Sequence, residues 1–131
     1  MKAVDTNVVV RVLTNDEPVQ SRLAASHLRS GPFWLASTVL LETEWVLRHA
    51  YGFDRNAINR GLAALIDLEG ATVQHESAVR GALGWHSRGM DFADALHLAV
   101  SSHAQEFLTF DKKFAASAQT LGATPRVRVL E

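Results

Sequence analysis

Cysteine is absent from this chain of 131 residues, and proline occurs only three times. The lack of cysteine excludes disulfide bridges, cysteine nucleophiles and thiolate zinc sites, and it fits a reducing compartment. No apolar run approaches the roughly 20 residues of a membrane-spanning helix. The first residues do not resemble a signal peptide, because only Val8, Val9 and Val10 are continuously apolar there and Asp5 precedes them. We therefore expect a cytoplasmic protein without a membrane segment.

An excess of charge of either sign is also absent. The 13 Lys and Arg residues nearly balance 14 Asp and Glu residues, which gives a net charge of -1. This balance excludes a strongly basic nucleic-acid-binding coat, although it allows a local basic patch. The 47% of hydrophobic and 21% of charged residues are typical of globular proteins and exclude a disordered chain. At roughly 150 residues per domain, the length predicts a single domain over residues 1–131.

Short apolar segments that alternate with helix-like segments predict the fold class. The strand-like segments are residues 3–5, 33–36, 71–74, 107–109 and 127–130. This alternation predicts an α/β layer fold with a mainly parallel sheet. We expect Asp91 to cap a helix over residues 92–103, and Asp111 to cap a helix over residues 112–121. Ligands of such sheets bind beyond the carboxyl ends of the strands, so the residues that follow the strands are the candidates for function.

Acidic side chains follow two of these strand-like segments or open the helices beside them. Asp5 and Asp111 come at or just after strand ends, whereas Asp91 and Asp94 lie at the start of a helix. An aspartate at a helix start is also an ordinary N-cap or a favourable partner of the helix dipole. Asp5 is harder to explain in this way, because Thr6–Asn7 could supply the cap instead. Asp5 is therefore the strongest functional candidate among these aspartates.

Two further acids, Glu42 and Glu44, lie within one helix-like segment. Glu44 precedes Arg48 by one helical turn, in the order that favours an ion pair along a helix. Glu42 falls between Trp45 and Val46 on the helical wheel, on a face that we expect to be buried. Because a lone carboxylate is rarely buried without a partner, Glu42 is the better candidate for a functional acid.

Carboxylates that converge on one crevice predict a metal site. Such groups repel each other and raise each other's pKa, and a divalent cation removes that conflict. Magnesium prefers carboxylate oxygens and bridges to substrate phosphates, which suits hydrolysis of a phosphoester by metal-activated water. The six histidines lack a metal-binding spacing, and nucleotide-binding glycine motifs are absent. Trp34, Trp45 and Trp85 could stack on bases, but we expect Trp34 and Trp45 in the core.

Four motifs together resemble the PIN-domain ribonucleases, and among them the VapC toxins of bacterial type II toxin–antitoxin systems. The motifs are Val4–Asn7, Leu41–Leu47, Phe92–His97 and Leu108–Phe114, and they follow the family's order along nearly the whole chain. The resemblance implies a three-layer α/β/α fold around a five-stranded, mainly parallel sheet of strand order 3-2-1-4-5. It also implies an endoribonuclease that depends on Mg²⁺ or Mn²⁺.

The resemblance assigns roles to particular residues. Four acids would be catalytic and hold the metal, and two polar residues would assist them: Asp5, Glu42, Asp94, Asp111, Asn7 and Thr109. Many relatives have a further acid shortly after the fourth acid, Asp111, where this chain has Lys112 and Lys113. Asp91 could substitute for that acid, so one metal is expected and a second is left open. Lys112, Lys113 and Arg88 are candidates for contacts with RNA phosphates, although solvated surface lysines are an equal alternative.

The resemblance also implies partners. They are an RNA substrate, a VapB-like antitoxin and a second copy of the chain in a homodimer. The apolar stripe of Ile58, Leu62, Leu65 and Ile66 could serve an interface or ordinary core packing. An arginine of the antitoxin placed among the carboxylates would block the site through charge-assisted hydrogen bonds. The alternative to an enzyme is a non-catalytic PIN-like module that binds RNA or protein.

Overall fold

The computed structural model describes residues 1–131 and contains seven helices and five short strands. In chain order the elements are β1 (Lys2–Ala3), α1 (Thr6–Thr14), α2 (Pro18–Arg29), β2 (Phe33–Leu35), α3 (Ser37–His49), α4 (Arg55–Ile66), β3 (Ala71–Val73), α5 (Glu76–Ser87), α6 (Phe92–Ala99), β4 (Glu106–Thr109), α7 (Lys112–Leu121) and β5 (Arg126–Val129). The predicted α/β class is confirmed. None of the helices combines the length and hydropathy needed to cross a membrane.

The chain divides into two compact units, which we call the N-terminal unit (Met1–Glu76) and the C-terminal unit (Ser77–Glu131). All strand pairs are parallel, as predicted, with order β1-β2-β3 in one sheet and β4-β5 in the other. The order 3-2-1 is present in one sheet and the pair 4-5 in the other, but the expected order 3-2-1-4-5 across all five strands is not confirmed. The expected single sheet of five strands is not formed as a continuous ladder, because β1 and β4 are not paired. With only two residues, β1 leaves few backbone groups for a second ladder.

Apolar faces of its helices form the core of the N-terminal unit. The helix α1 packs against α2 and α3, and α4 packs against α3 and β3. The apolar stripe of α4 is fully buried at Ile58, Leu62, Leu65 and Ile66. Burial of each such side chain stabilises the fold by about 1.5–3 kcal/mol. These four side chains therefore belong to the core, and this stripe is not available for a dimer interface.

A close backbone contact joins the starts of β2 and β3. The φ angle of Gly70 is +88°, in a region that L side chains rarely adopt. A Cβ atom on Gly70 would lie 3.1 Å from the carbonyl oxygen of Gly31. The Gly70 carbonyl also accepts a hydrogen bond from the Phe33 N–H at 2.9 Å. Glycine at this position allows the two strands to begin side by side.

In the C-terminal unit, the predicted first residues of α6 and α7 agree with the structure, whereas the predicted last residue of α6 does not. Asp91 and Asp111 are the N-caps of α6 and α7, as predicted. The predicted bounds of α7 are confirmed, but α6 ends at Ala99 and not at His103. After Ala99, Ser101 and then Ala104 donate hydrogen bonds three residues back, so tight turns replace the last helical turn.

Candidate functional site

Thr6 connects two of the candidate acids in the N-terminal unit. Asp5 is the N-cap of α1, and its Oδ1 accepts a hydrogen bond from the Thr6 N–H at 2.8 Å. The prediction that Thr6–Asn7 caps this helix is therefore wrong. The Thr6 hydroxyl donates a short hydrogen bond to Oε1 of Glu42 on α3. Thr6 is only 6% exposed, so the two acids are tied together through a buried side chain.

The two acids of α3 have opposite surroundings, and these reverse one prediction. Glu42 is exposed, whereas Glu44 is only 2% exposed. The Glu44 carboxylate accepts hydrogen bonds from Nε of Arg48 at 2.7 Å and from Nη2 at 3.3 Å. The predicted pairing of Glu44 with Arg48 is confirmed, but the predicted burial of the Glu42 face is wrong. Leu47 packs inward beside Glu44, and this rotation turns Glu42 and Trp45 outward.

A groove of about 730 Å³ lies between α1, α2 and the segment that leads into α1. Asp5 and Asn7 contribute to its lining, together with the cationic Arg11 and the exposed His27. Leu23 adds an apolar side chain that is largely exposed. The candidate acid at the start of α1 therefore opens onto a groove with mixed polar and apolar walls, which is the character of a ligand site.

Three aspartates surround the start of α6 and α7 in the C-terminal unit. The Asp94 N–H donates a hydrogen bond to Oδ2 of Asp91 at 3.1 Å. Burial raises the pKa of the half-buried Asp94, and the negative charges of Asp91 and Asp111 raise this pKa further. The exposed His97 acts in the opposite direction and lowers the pKa of Asp94. Burial and the two like charges therefore outweigh the attraction of His97, and the pKa of Asp94 is raised.

Thr109 fixes Asp111 through the backbone. The Asp111 N–H donates a hydrogen bond to Oγ1 of Thr109 at 3.0 Å, and Oδ1 of Asp111 accepts one from the Phe114 N–H at 3.0 Å. Thr109 thus orients the residue that carries the acid, and it does not bind the carboxylate. Lys112 and Lys113 follow directly and are exposed, as is Arg88. The exposed positions of these cations suit contacts with phosphate as well as with solvent.

The structure associates the candidate acids within each unit: Asp5 with Glu42 through Thr6, and Asp94 with Asp91 and Asp111. No group of three or more His, Asp or Glu side chains that could hold a metal ion occurs. The donor atoms are nonetheless carboxylate oxygens, which suit a hard divalent cation. The like-charge repulsion around Asp94 is the feature that such a cation would relieve.

Sequence reasoning did not single out Thr6, and it placed one tryptophan wrongly. The link from Thr6 to Glu42 joins residues 36 positions apart, so no local pattern reveals it. Among the tryptophans, Trp34 and Trp85 are half-buried, whereas Trp45 is 55% exposed. The prediction of a core position is therefore wrong for Trp45. Its exposure follows from the same rotation of α3 that exposes Glu42.

Comparison with known proteins adds one finding. The sequence matches the PIN domain family over residues 2–119, which includes all of the acids described above. No curated protein matches the chain significantly.

Proposed function

The chain belongs to the PIN domain family, whose members are generally nucleases that use divalent metals, and from this premise we propose a metal-dependent endoribonuclease. The proposed reaction is hydrolysis of RNA phosphodiester bonds by water. The proposed catalytic and metal-binding residues are Asp5, Glu42, Asp94 and Asp111.

The state of Asp94 is the observation that carries the proposal. Burial of its carboxylate raises its pKa, and the negative charges of Asp91 and Asp111 raise this pKa further. A structural aspartate is normally stabilised by a cation or by hydrogen bonds, and these lower its pKa. An acid whose pKa is raised by burial and by like charges, with only partial compensation from His97, is typical of a functional site. Mg²⁺ or Mn²⁺ would provide the missing positive charge.

The residues of this chain would position the reacting groups. A bound divalent cation supplies an activated water and stabilises the leaving oxygen. Asp94 and Asp111 would hold that cation from the C-terminal unit, and Thr109 keeps Asp111 in place through its backbone. In the N-terminal unit, the Thr6 hydroxyl fixes one oxygen of Glu42 and leaves the other oxygen for the metal or for water. Thr6 is therefore a positioning residue in this proposal.

We propose further that the enzyme is the toxin of a type II toxin–antitoxin system and forms a homodimer in the cytoplasm. The support is the resemblance of its four motifs to VapC toxins. A VapB-like antitoxin would silence it by placing an arginine among the carboxylates, where bidentate hydrogen bonds compete with the metal. Changing that arginine to alanine should release RNA cleavage while the rest of the antitoxin still binds.

A non-catalytic PIN-like module that binds RNA or protein is the second candidate. The observation that favours it is the absence of any group of three metal-ligating side chains. A site with too few ligands could bind RNA without cleaving it. The two candidates differ in turnover, and so a cleavage assay separates them.

The test is cleavage of single-stranded RNA by the full chain with Mg²⁺ or Mn²⁺, and again with a chelator. The proposed enzyme cleaves only with metal, and Asp94→Asn and Asp111→Asn abolish the activity. Glu69→Gln is a suitable control, because it removes the charge of an exposed acid that has no proposed role in the site. RNA binding without metal-dependent cleavage would favour the non-catalytic module.

A further inference from the structure

One exposed strip of α3 carries a line of four side chains. Thr38, Glu42, Trp45 and His49 are separated by three or four residues and are all exposed. Side chains at this spacing lie above one another on one face of a helix. Trp45 is the only large apolar side chain in this strip. The strip therefore presents a single indole ring between polar neighbours.

The indole of Trp45 is held by a second ring. The centroids of the Trp45 and His49 rings lie 4.5 Å apart, and the ring planes are inclined by 38°. The indole still remains 55% exposed. Because contact with His49 restricts the rotation of the indole, less side-chain entropy is lost when a flat ligand stacks on it. The Trp45–His49 pair is therefore preorganised to stack with a flat ligand.

The character of the strip favours a nucleobase over a protein partner. Interface cores between proteins are depleted of charged residues and combine several apolar side chains. Here the neighbours of Trp45 along the strip are the carboxylate of Glu42 and the imidazole of His49. A base of a single-stranded nucleic acid needs only one aromatic surface, because its flat face stacks on the ring.

We propose that Trp45 and His49 form a stacking platform for one base of a single-stranded RNA substrate, one helical turn from Glu42. The inference rests on the proposed function, because it identifies the bound form of the substrate. Unpaired RNA is required, since bases within a duplex are already stacked and cannot lie flat on an indole. The platform would set which phosphodiester bond lies beside Glu42.

The first test measures binding of a short unstructured oligoribonucleotide to the full chain with a chelator present. Trp45→Ala should weaken binding by roughly 5- to 100-fold, whereas Trp45→Phe should retain most of the affinity. The weakening should be similar at low and high salt, because stacking releases no counterions. Trp85→Phe is the matched control and should bind RNA like the wild type. Equal affinities of Trp45→Ala and the wild type would overturn the proposal.

Two further measurements separate the platform from its alternatives. RNA should quench the fluorescence of the wild type and of Trp85→Phe, but much less that of Trp45→Phe. With metal present, Trp45→Ala should raise KM for RNA far more than it lowers kcat. If Trp45→Ala instead changes the oligomeric state and leaves RNA affinity intact, the strip is a protein interface and the proposal is wrong.

The failure of the platform and of the proposed function can be distinguished. If the wild type cleaves RNA, Glu42→Gln is inactive and Trp45→Ala binds RNA normally, only the platform fails. If the wild type shows no metal-dependent cleavage but Trp45→Ala loses RNA binding, the proposed enzyme fails and the platform remains.

Discussion

The N-terminal and C-terminal units each contain two of the four proposed catalytic acids, and they hold them by different means. In the N-terminal unit, the buried Thr6 donates hydrogen bonds to both Asp5 and Glu42. In the C-terminal unit, Asp94 has a raised pKa because it is half-buried and faces the charges of Asp91 and Asp111. The carboxylates of Asp5 and Glu42 accept hydrogen bonds from the protein itself, whereas the carboxylate of Asp94 faces like charges.

This difference indicates a division of labour. Hydrogen bonds to charged groups stabilise a fixed geometry whether or not a metal is present. Repulsion between carboxylates destabilises the folded state until a cation or a proton binds. The hydrogen bonds of Thr6 would therefore keep Asp5 and Glu42 in position without metal, and the repulsion at Asp94 would favour binding of a cation.

The largest expected effect tests whether both pairs belong to one site. Glu42→Gln and Asp94→Asn should each reduce RNA cleavage by at least about 100-fold, because each removes a group that acts on the reacting atoms. Single-turnover cleavage at saturating RNA and metal would measure this loss.

Glu44→Gln is the control on the same helix. It should retain cleavage at low temperature, although it should lose about 1–2 kcal/mol of stability, since its hydrogen bonds to the half-exposed Arg48 weaken. An active Glu42→Gln together with an inactive Glu44→Gln would show that the site has been assigned to the wrong acid.

The second prediction concerns how much a divalent metal stabilises the fold, and how this gain depends on Asp94 and on Thr6. Mg²⁺ or Mn²⁺ at about 100 times its dissociation constant should stabilise the wild type by about 2.7 kcal/mol. Thermal melts should show most of this gain lost in Asp94→Asn, because the strained acid is missing. Thr6→Ser should keep the gain. A wild type that melts at the same temperature with and without metal would contradict the proposed metal site.

The third prediction concerns the loss of the hydrogen bond between Thr6 and Glu42. Thr6→Val has nearly the same shape as threonine but cannot donate a hydrogen bond to Glu42. We expect roughly a tenfold loss of cleavage, which corresponds to one hydrogen bond to a charged group. The metal concentration at half-maximal activity should rise as well, because Glu42 is less well positioned.

Thr6→Ser provides the control, because it keeps the hydroxyl and should recover most of the activity. If Thr6→Val and Thr6→Ser are equally active, the hydroxyl of Thr6 does not position Glu42. If both are equally impaired, packing of the Thr6 methyl group is more important than the hydrogen bond.

The smallest expected effect concerns stability without metal. Asp94→Asn should stabilise the metal-free chain at about pH 7, by less than about 1 kcal/mol, because Asp94 is only half-buried and surface charges are screened. The folded pKa of Asp94 lies above the ordinary aspartate value of 3.8. Protonation therefore favours the folded state, and the wild type recovers this stability as the pH falls through that folded pKa.

Melting curves of both proteins over a pH series would test this prediction. The advantage of Asp94→Asn should be largest near neutral pH, should shrink as the pH falls through the raised folded pKa of Asp94, and should disappear below the ordinary value of 3.8. A constant difference across the series would show that repulsion at Asp94 is not its cause.

Local signals in the sequence predicted much of the fold. The caps Asp91 and Asp111 and the whole of α7 could be predicted, because an N-cap and a closing glycine act within a few residues. The assignment of Glu42 and Trp45 to a buried face was wrong. The phase of α3 is set by tertiary packing against its neighbours, and several rotations of this helix bury a similar number of apolar residues.

Long-range features of the candidate site could not be predicted. The hydrogen bond from Thr6 to Glu42 and the influence of Asp111 on Asp94 depend on how separate elements meet. Sequence spacing specifies which acids are candidates. It does not specify which of them is buried, which shares a hydrogen-bonding partner and which faces like charges. The roles of Asn7, Lys112, Lys113 and Arg88 stay predictions.

The contact at Gly70 has a consequence for genetic control of the protein. An alanine there would need both a left-handed backbone and a displaced Gly31 carbonyl, at a cost of at least about 1–2 kcal/mol. Gly70 carries no proposed catalytic group, so the loss should affect folding and leave the acids unchanged. Gly70→Ala is therefore a rational starting point for a temperature-sensitive allele. Cells carrying it could be grown warm and then cooled to release the activity of the proposed toxin.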